Sequence, residues 1–399
     1  MMAVLLIASM VSVVIMVSGM HELENAENSY PAFFDNSRDR VIDIHVTIPR
    51  DDFMDMLVNS HTRRFYGADI HIDGNTYETA GFRIRENLIT SNPQSQTRHS
   101  FKIKFNRFIK GQKFRGLDEL NLINMSGDPS FMREYLALEI MREAGMPAPL
   151  AMYVNLYING HLHGLYLAVE SADNSFLTRI FGDHHGDLFR AEKYATLRPD
   201  MFTEAFSRKK GTDINHEGIA LLIEALDNMN GGEKGWIEEI LDVDSALQYI
   251  AANVVLGNYG SYLGRSARDF YLYRHNGVFT VIPFRVSSSF GAYRHDNGRS
   301  TRVPVNSPVF DTRVADRPLI AKLLEVEEYK ERYMAFVDEF IAALQNAEAR
   351  IAEIDRAIAR HVEADPTRFY TFEHYRANVS GTGNLSILTY IRERLDFLT

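Results

Sequence analysis

The spacing of the hydrophobic residues changes along the chain, and this change restricts the fold most strongly. Up to about residue 214 most of the segments with a clear pattern are strand-like, as in segment 41–48, where apolar and polar residues alternate. From about residue 215 the apolar residues recur every three or four positions, which is the pattern of helices. We therefore predict an α+β fold with a strand-rich N-terminal half (about 40–214) and a helical C-terminal half (about 215–399).

The same spacing, together with turn and cap residues, predicts the individual elements. Strands are expected at 41–48, 68–72, 77–85, 101–105, 152–158, 161–169, 270–274 and 278–283. Helices are expected at 51–58, 128–145, 218–228, 244–256, 318–344 and 348–362. The helix at 128–145 is the clearest, because Asp128 can cap it, Pro129 suits its first turn and Gly145 suits its end.

The first twenty residues contain no charged side chain. An uncharged run of this length predicts a signal peptide or a membrane anchor, with a buried N-terminal helix as the alternative. Residues 21–39 then form a polar linker, and residues 40–399 form the folded domain. This organisation predicts a secreted or membrane-anchored protein outside the cytoplasm, with membrane contact only through residues 1–20.

Composition excludes several kinds of site. The chain has no cysteine, so disulfides, thiolate metal sites and cysteine nucleophiles are ruled out. The 43 lysines and arginines against 53 aspartates and glutamates give a formal charge of −10. An acidic chain does not favour non-specific binding to nucleic acid, so no nucleic-acid partner is expected.

Four cations stand out on two of the predicted strands. Arg83 and Arg85 alternate with apolar residues on one strand, and Lys102 and Lys104 do so on the next. If the two strands pair through the 86–100 loop, all four cations lie on one surface. Such a surface suits a polyphosphate, but it is equally the solvated basic face of an ordinary sheet.

A set of short motifs resembles the spore coat protein H (CotH) kinase family. The matching pieces, in the family's order, are 81–85 (GFRIR), 100–105 (SFKIKF), 120–122 (LNL), 128–130 (DPS), 133–134 (RE), 145–148 (GMPA), 157–160 (YING), 164–166 (GLY) with Glu170, Asn253, 257–258 (GN), 270–273 (FYLY), 282–283 (IP) and 290–291 (FG). The resemblance covers about 40 to 300, and it is carried by the order and spacing of these pieces.

The resemblance implies an atypical protein-kinase-like bilobal fold that uses ATP and a divalent metal. It implies that Lys102 or Lys104 holds nucleotide phosphates, with Arg83 and Arg85 near them. Glu170 is expected at the junction of the two lobes, near the nucleotide. A purely structural role for Glu170, as an ionic partner of one of these cations, is compatible with that position.

The chain departs from the family where carboxylates are expected. The family's Asn-x-Asp-Ser is Asn258-Tyr-Gly-Ser here, so Gly260 replaces the expected catalytic aspartate. The family's asparagine before the aromatic-rich strand is Asp269. Its Trp-Asp-x-Asp segment reads Phe-Arg-Val-Ser, which puts Arg285 and Ser287 at the positions of metal-binding carboxylates. Phosphoryl transfer needs cations held by carboxylates, so these substitutions argue against Mg²⁺ or Mn²⁺.

Three functions remain open, and we favour the first. A pseudokinase would bind a nucleotide such as ATP, or a phosphorylated ligand, with Arg285 in place of the metal, and would act as an exported scaffold. An active secreted kinase would need Asp269 or Asp296 to rebuild the metal site. A structural protein with a vestigial cleft would work through protein partners at a cell or coat surface.

Overall fold

The computed structural model describes residues 29–86, 98–201, 203–292, 299–383 and 386–399. Strands dominate the N-terminal half and helices the C-terminal half, which confirms the predicted α+β class. The predictions for residues 1–20 and for Asp296 lie outside these ranges. Within the ranges, no helix combines the length and the apolar character needed to cross a bilayer.

Seven strands of the N-terminal half close into a barrel, which the sequence did not predict. They are β1 (Val41–Thr47), β2 (Tyr66–Ile72), β3 (Asn75–Glu86), β4 (Ser100–Lys104), β5 (Glu119–Ile123), β6 (Ala151–Ile158) and β7 (His161–Glu170). The order around the barrel is β1-β2-β3-β4-β5-β7-β6. β1 and β6 run parallel, which closes the barrel. Alternate residues of the strands, such as Phe82 and Ile103, are fully buried in its core.

Four further strands form an open sheet in the order β11-β10-β8-β9. They are β8 (Asp187–Ala191), β9 (Phe206–Lys210), β10 (Phe270–His275) and β11 (Val278–Pro283). The antiparallel pair of β10 and β11 confirms the strand pair predicted at 270–283. β8 and β9 were not predicted.

The helices are α1 (Tyr30–Asp35), α2 (Arg50–Val58), α3 (Arg133–Glu143), α4 (Asn174–Phe181), α5 (Glu217–Asp227), α6 (Val243–Val255), α7 (Pro318–Ala321), α8 (Glu327–Ala364), α9 (Phe372–Ser380) and α10 (Ile387–Leu398). Within the segment 21–39 predicted as a linker, α1 buries the rings of Tyr30, Phe33 and Phe34. The Phe33 ring packs edge-on against Phe114, 5.1 Å between centroids, so this part of the segment is folded onto the barrel.

The chain divides into two compact units. The first comprises the described residues of Met1–Asn124, Met152–Gly182 and Asp365–Thr367, and it contains the barrel. The second comprises Met125–Ala151, the described residues of Asp183–Ala364 and those of Arg368–Thr399, and it contains the open sheet and most of the helices.

The helix predicted to begin at Asp128 begins five residues later, at Arg133. The Asp128 carboxylate accepts hydrogen bonds from the backbone N–H groups of Ser130 (2.9 Å) and Arg133 (2.8 Å), and it pairs with the Arg133 guanidinium. Phe131 has a left-handed backbone (φ +58°), which no helix interior accepts. Asp128 therefore organises a turn before the helix instead of capping its first residue.

The prediction of two helices at 318–344 and 348–362 places the break between helices at the wrong position. The chain forms the short α7, a 3₁₀ turn at Leu323–Glu325, and then the single 38-residue helix α8. The predicted break at 345–347 is absent, because Leu344 and Ala347 are both buried on the continuous apolar face of α8. The actual break is at Val326, whose backbone is extended.

Candidate functional site

The four predicted cations lie on one face of the barrel wall. β3 pairs antiparallel with β4, with Arg83 directly opposite Lys102, so the predicted strand pairing is confirmed. All four cations are half-buried, whereas the apolar residues that alternate with them point into the core. The strand period thus separates a charged outer face from the apolar interior.

A carboxylate that the sequence analysis did not identify neutralises this face. β5 pairs with β4 so that Glu119 lies opposite Lys104. One oxygen of Glu119 is 2.5 Å from Lys102 Nζ, and the other is 2.7 Å from Lys104 Nζ. Burial alone would raise the pKa of Glu119, but the two lysines outweigh it and lower that pKa to about 2. Glu119 is therefore ionised at neutral pH and shared by both lysines.

Lys102 has a second, neutral partner. Its Nζ donates to the hydroxyl of Ser171 (2.9 Å), which also accepts from the Asn121 side-chain amide (2.8 Å). Burial lowers the pKa of Lys102, and the ion pair with Glu119 opposes that shift. The Oδ1 atom of Asn121 is buried and has no hydrogen-bond partner among the described residues. This acceptor is therefore available to a donor from a ligand or a water molecule.

A second carboxyl group belongs to the same electrostatic neighbourhood. Asp173 caps α4, accepting from the backbone N–H of Ser175 (2.9 Å) and Phe176 (3.3 Å) through Oδ1. Its Oδ2 atom has no hydrogen-bond partner in the described part of the chain. Burial, and then the negative charge of Glu119, raise the pKa of Asp173 well above its usual range. Asp173 therefore takes up a proton more readily than an ordinary aspartate.

Glu170 lies in a separate cluster from the two lysines. Its carboxylate accepts from Tyr30 Oη (2.7 Å) and from the Arg179 guanidinium, with Nη2 at 2.5 Å and Nε at 3.1 Å. Burial raises the pKa of Tyr30, and the neighbouring charge of Glu170 raises it further. The cationic partner of Glu170 is thus Arg179, which was not predicted, and Tyr30 couples α1 to the end of β7.

In the second unit the structure brings Asp269 and Arg285 together. Asp269 Oδ1 is 3.7 Å from Arg285 Nη1, and Asp269 Oδ2 is 3.3 Å from Arg268 Nε. Asp269 and Arg285 both have left-handed backbones, with φ of +61° and +53°. Such conformations are costly for side chains other than glycine and are common at functional sites. Both oxygens of this carboxylate therefore face fixed positive charges.

Gly260 and Ser287 occupy the other two substituted positions. A Cβ at Gly260 would lie 2.6 Å from Ser288 Oγ, so a larger residue there requires Ser288 to move. Ser287 is exposed, in the 3₁₀ turn Val286–Ser288 that follows Arg285. Beside Gly260, the buried Asn258 donates to Asn253 Oδ1 (2.7 Å), and its own Oδ1 has no hydrogen-bond partner among the described residues.

These donors do not fit Mg²⁺ or Mn²⁺. Both ions require several oxygen ligands, usually with more than one carboxylate or phosphate. In this group of substituted positions only Asp269 carries a carboxylate, and its oxygens face Arg268 and Arg285. Across the described ranges, no group of three or more His, Asp or Glu side chains is arranged to hold a metal ion.

The residues that sequence reasoning missed depend on strand register. Glu119 and Asn121 alternate on β5 in the way that Lys102 and Lys104 alternate on β4, and this period was the available signal. Their contact with the lysines depends on how β4 and β5 pair across a fourteen-residue connection, residues 105–118, which local spacing does not specify.

Comparisons with known proteins point to one family. A family model described as CotH kinase protein matches residues 81–398. The inner spore coat protein H of Bacillus subtilis (strain 168) is 26% identical over 308 residues, which cover 73% of this chain and 80% of that protein. The crystal structure of the Helicobacter pylori proinflammatory kinase CtkA is 14% identical, with a TM-score of 0.36, and the match covers 74% of this chain and 92% of that chain.

Proposed function

Because the chain belongs to the CotH kinase protein family, as the sequence motifs indicated, we propose that it is a pseudokinase with an atypical kinase-like fold. It binds a nucleotide or another phosphate-bearing ligand and does not transfer phosphoryl groups efficiently. It acts as an exported scaffold for protein partners.

The observation that carries this proposal is the pairing of Asp269 with Arg285. In a phosphoryl-transfer site, carboxylates hold the divalent cations that neutralise the transferred phosphate. Here a guanidinium faces the one carboxylate at the substituted positions, where the family resemblance implies a metal. Arginine stays protonated at every physiological pH, so the positive charge at this point is permanent.

The cationic face of the barrel supports the binding half of the proposal. Lys102 and Lys104 are held at fixed positions by a shared carboxylate, and ammonium groups are good point-charge donors to phosphate oxygens. A phosphate must compete with Glu119 for these donors. Removing the charge of Glu119 should therefore strengthen anion binding, whereas removing the lysines should abolish it.

The first experiment measures the melting temperature of the protein with ATP, with Mg²⁺ or Mn²⁺, and with both. A ligand that binds only the native state raises the free energy of unfolding by mass action, by about 2.7 kcal/mol at a ligand concentration of about 100 times Kd. The melting temperature rises accordingly. The pseudokinase predicts a shift with ATP that needs no metal. A shift that requires metal would instead support an active kinase with a rearranged metal site.

Three variants identify the binding site. Glu119→Gln should enlarge the ATP-dependent shift, and Lys102→Gln with Lys104→Gln should remove it. Lys234→Gln is a matched control, because Lys234 forms ion pairs with Glu238 and Glu328 in the second unit. Equal shifts in all variants would place any ATP binding away from the barrel wall and would contradict the assignment of the two lysines.

A second candidate is a structural coat or surface protein with a vestigial nucleotide site. The Bacillus subtilis relative is named an inner spore coat protein, which suggests a coat or surface location for this chain as well. Glu119 also favours this candidate, because it already satisfies both lysines without any phosphate. If ATP leaves the melting temperature unchanged both in the native protein and in Glu119→Gln, the structural coat or surface protein is the better interpretation.

A further inference from the structure

The connection between β4 and β5 carries a compact cationic and apolar surface. Between Phe105 and Leu117 the chain has four cations and no acidic residue, although the protein as a whole has a formal charge of −10. Within this connection, the side chains of Phe108 and Ile109 are 49% and 42% exposed. We call residues 107–113 the β4–β5 tip.

Ring packing and hydrogen bonds hold the β4–β5 tip in a defined conformation. Phe105 and Phe114, on either side of it, are fully buried, and their rings stack with 5.9 Å between centroids. Gln112 donates its backbone N–H to the carbonyl of Ile109 (3.3 Å) and its side-chain amide to the carbonyl of Phe105 (2.9 Å). Gly111 has a left-handed backbone (φ +81°), which a tight turn at this point requires. The exposed apolar pair is thus held in a hydrogen-bonded turn.

Cations surround this apolar pair. Arg107 lies over the ring of Phe108 at 5.8 Å and over that of Phe65 at 5.4 Å, and Arg107 and Lys110 are both exposed. Lys113 is exposed as well and is 3.6 Å from Asp118, outside the tip. Two apolar side chains are therefore presented together with three positive charges.

We propose that the β4–β5 tip docks on an anionic phospholipid surface, with Phe108 and Ile109 entering the interface and Arg107, Lys110 and Lys113 contacting the headgroups. Membrane-surface binding combines apolar side chains that enter the headgroup boundary with lysines and arginines that are attracted to anionic lipids, and the tip presents both. Each lysine or arginine near an anionic membrane strengthens binding roughly fivefold.

The chain connectivity agrees with this orientation. The backbone N–H of Tyr30 donates to the carbonyl of Arg115 (3.1 Å), and the Arg115 guanidinium donates to Ser29 Oγ (3.3 Å). Ser29 follows the uncharged segment 1–20, predicted to be a signal peptide or membrane anchor, by nine residues, which reach at most about 30 Å when extended. The start of the described chain therefore lies beside the foot of the tip.

The test is sedimentation of the full chain with vesicles of phosphatidylcholine alone, or of phosphatidylcholine with about one-third phosphatidylglycerol. Residues 1–20 contain no charged side chain, so the difference between the two vesicles reports mainly the cationic surface of the folded part. We expect stronger binding to the anionic vesicles, weakened by salt as the Debye length falls from about 10 Å at 0.1 M to about 3 Å at 1 M. Equal binding to both vesicles would overturn the proposal.

Substitutions separate the two components of the surface. The triple variant R107Q/K110Q/K113Q should bind anionic vesicles on the order of a hundredfold more weakly. The double variant F108S/I109S should bind roughly tenfold more weakly, because the apolar contribution is lost. All five side chains are exposed and their ionic contacts are surface contacts worth little, so the melting temperature should change only slightly.

Matched controls keep the result specific. M54S/V58S removes two other exposed apolar residues of the barrel unit, which lie on α2, and should leave vesicle binding unchanged. Because the chain has no cysteine, Ile109→Cys also accepts an environment-sensitive fluorophore at a single position, with Val58→Cys as its control. The fluorescence at residue 109 alone should report an apolar environment on anionic vesicles.

Two outcomes would contradict the lipid assignment. If F108S/I109S binds anionic vesicles as tightly as the native protein, the apolar pair does not enter the interface. If soluble polyglutamate binds the tip and displaces the protein completely from the vesicles, the surface recognises an acidic polypeptide. In either case the proposed docking on a phospholipid surface is wrong.

Discussion

Removal of the Asp365 carboxylate should be among the most damaging single changes in this protein. Asp365 and Arg98 are both 0% exposed, and Arg98 Nη1 lies 3.0 and 2.8 Å from the two carboxylate oxygens. The carboxylate also accepts from the backbone N–H groups of Leu165 and Thr367, each at 2.9 Å. The substitution Asp365→Ala would leave a buried guanidinium without its counter-ion, and it would leave the buried N–H of Leu165 and the partly buried N–H of Thr367 without their acceptor.

Breaking a buried ion pair by removing one partner typically lowers the free energy of unfolding by about 3–5 kcal/mol. For a domain of 150–250 residues, each kcal/mol lowers the melting temperature by about 2–4 °C. Asp365→Ala should therefore melt on the order of 10 °C below the native protein. Asp365→Asn keeps a carbonyl acceptor for one N–H group and should be less damaging.

The assay is urea unfolding followed by circular dichroism, with melting temperature as a second measure. Glu348→Ala is the control, because Glu348 pairs with Arg392 on the surface, where both side chains are about half exposed. An exposed pair is worth about 0–1 kcal/mol, so this variant should unfold almost as the native protein does. Equal losses for Asp365→Ala and Glu348→Ala would refute the assignment of Asp365 as a buried anchor.

Other positions give further tests. Asp173→Asn keeps a capping oxygen but cannot ionise. The folded-state pKa of Asp173 is raised, so its stabilising contribution is full below the unfolded pKa and is lost as pH rises through the folded pKa. The melting temperature of the variant should therefore rise relative to that of the native protein from acid to neutral pH, and a difference independent of pH would contradict this. Gly164→Ala should lower the free energy of unfolding by more than about 1 kcal/mol in urea unfolding, because its backbone is left-handed (φ +143°) and a Cβ would meet Arg98. Arg285→Asp with Ser287→Asp should create Mg²⁺-dependent stabilisation in a melting assay with ATP, and no gain would show that the site has diverged beyond these two ligands.

The sequence predicted those parts of the structure that depend on local period. The face on which Arg83 and Lys102 lie follows from strand alternation alone, whatever the strand pairs with. The α+β class follows in the same way from the change in spacing near residue 215. These features required no knowledge of contacts between distant parts of the chain.

Features that depend on tertiary contacts could not be predicted in this way. Asp128 resembles a helix cap in sequence, but its carboxylate binds the Arg133 side chain, and the helix begins later. Closure of the barrel depends on the parallel pairing of β1 with β6, which are more than 100 residues apart. Glu119 was missed for the same reason, because its role arises from the register between two strands.

The division of the chain into two units, each made of separate segments, limits how the protein can be truncated or recombined. The polypeptide passes from one compact unit to the other at 124–125, 151–152, 182–183, 364–365 and 367–368. No single cut therefore yields either unit as a contiguous fragment, and a protein shortened before Asp365 lacks the counter-ion of Arg98. Recombination that moves one contiguous stretch between genes would transfer neither unit whole, so the two units are expected to evolve as a single module.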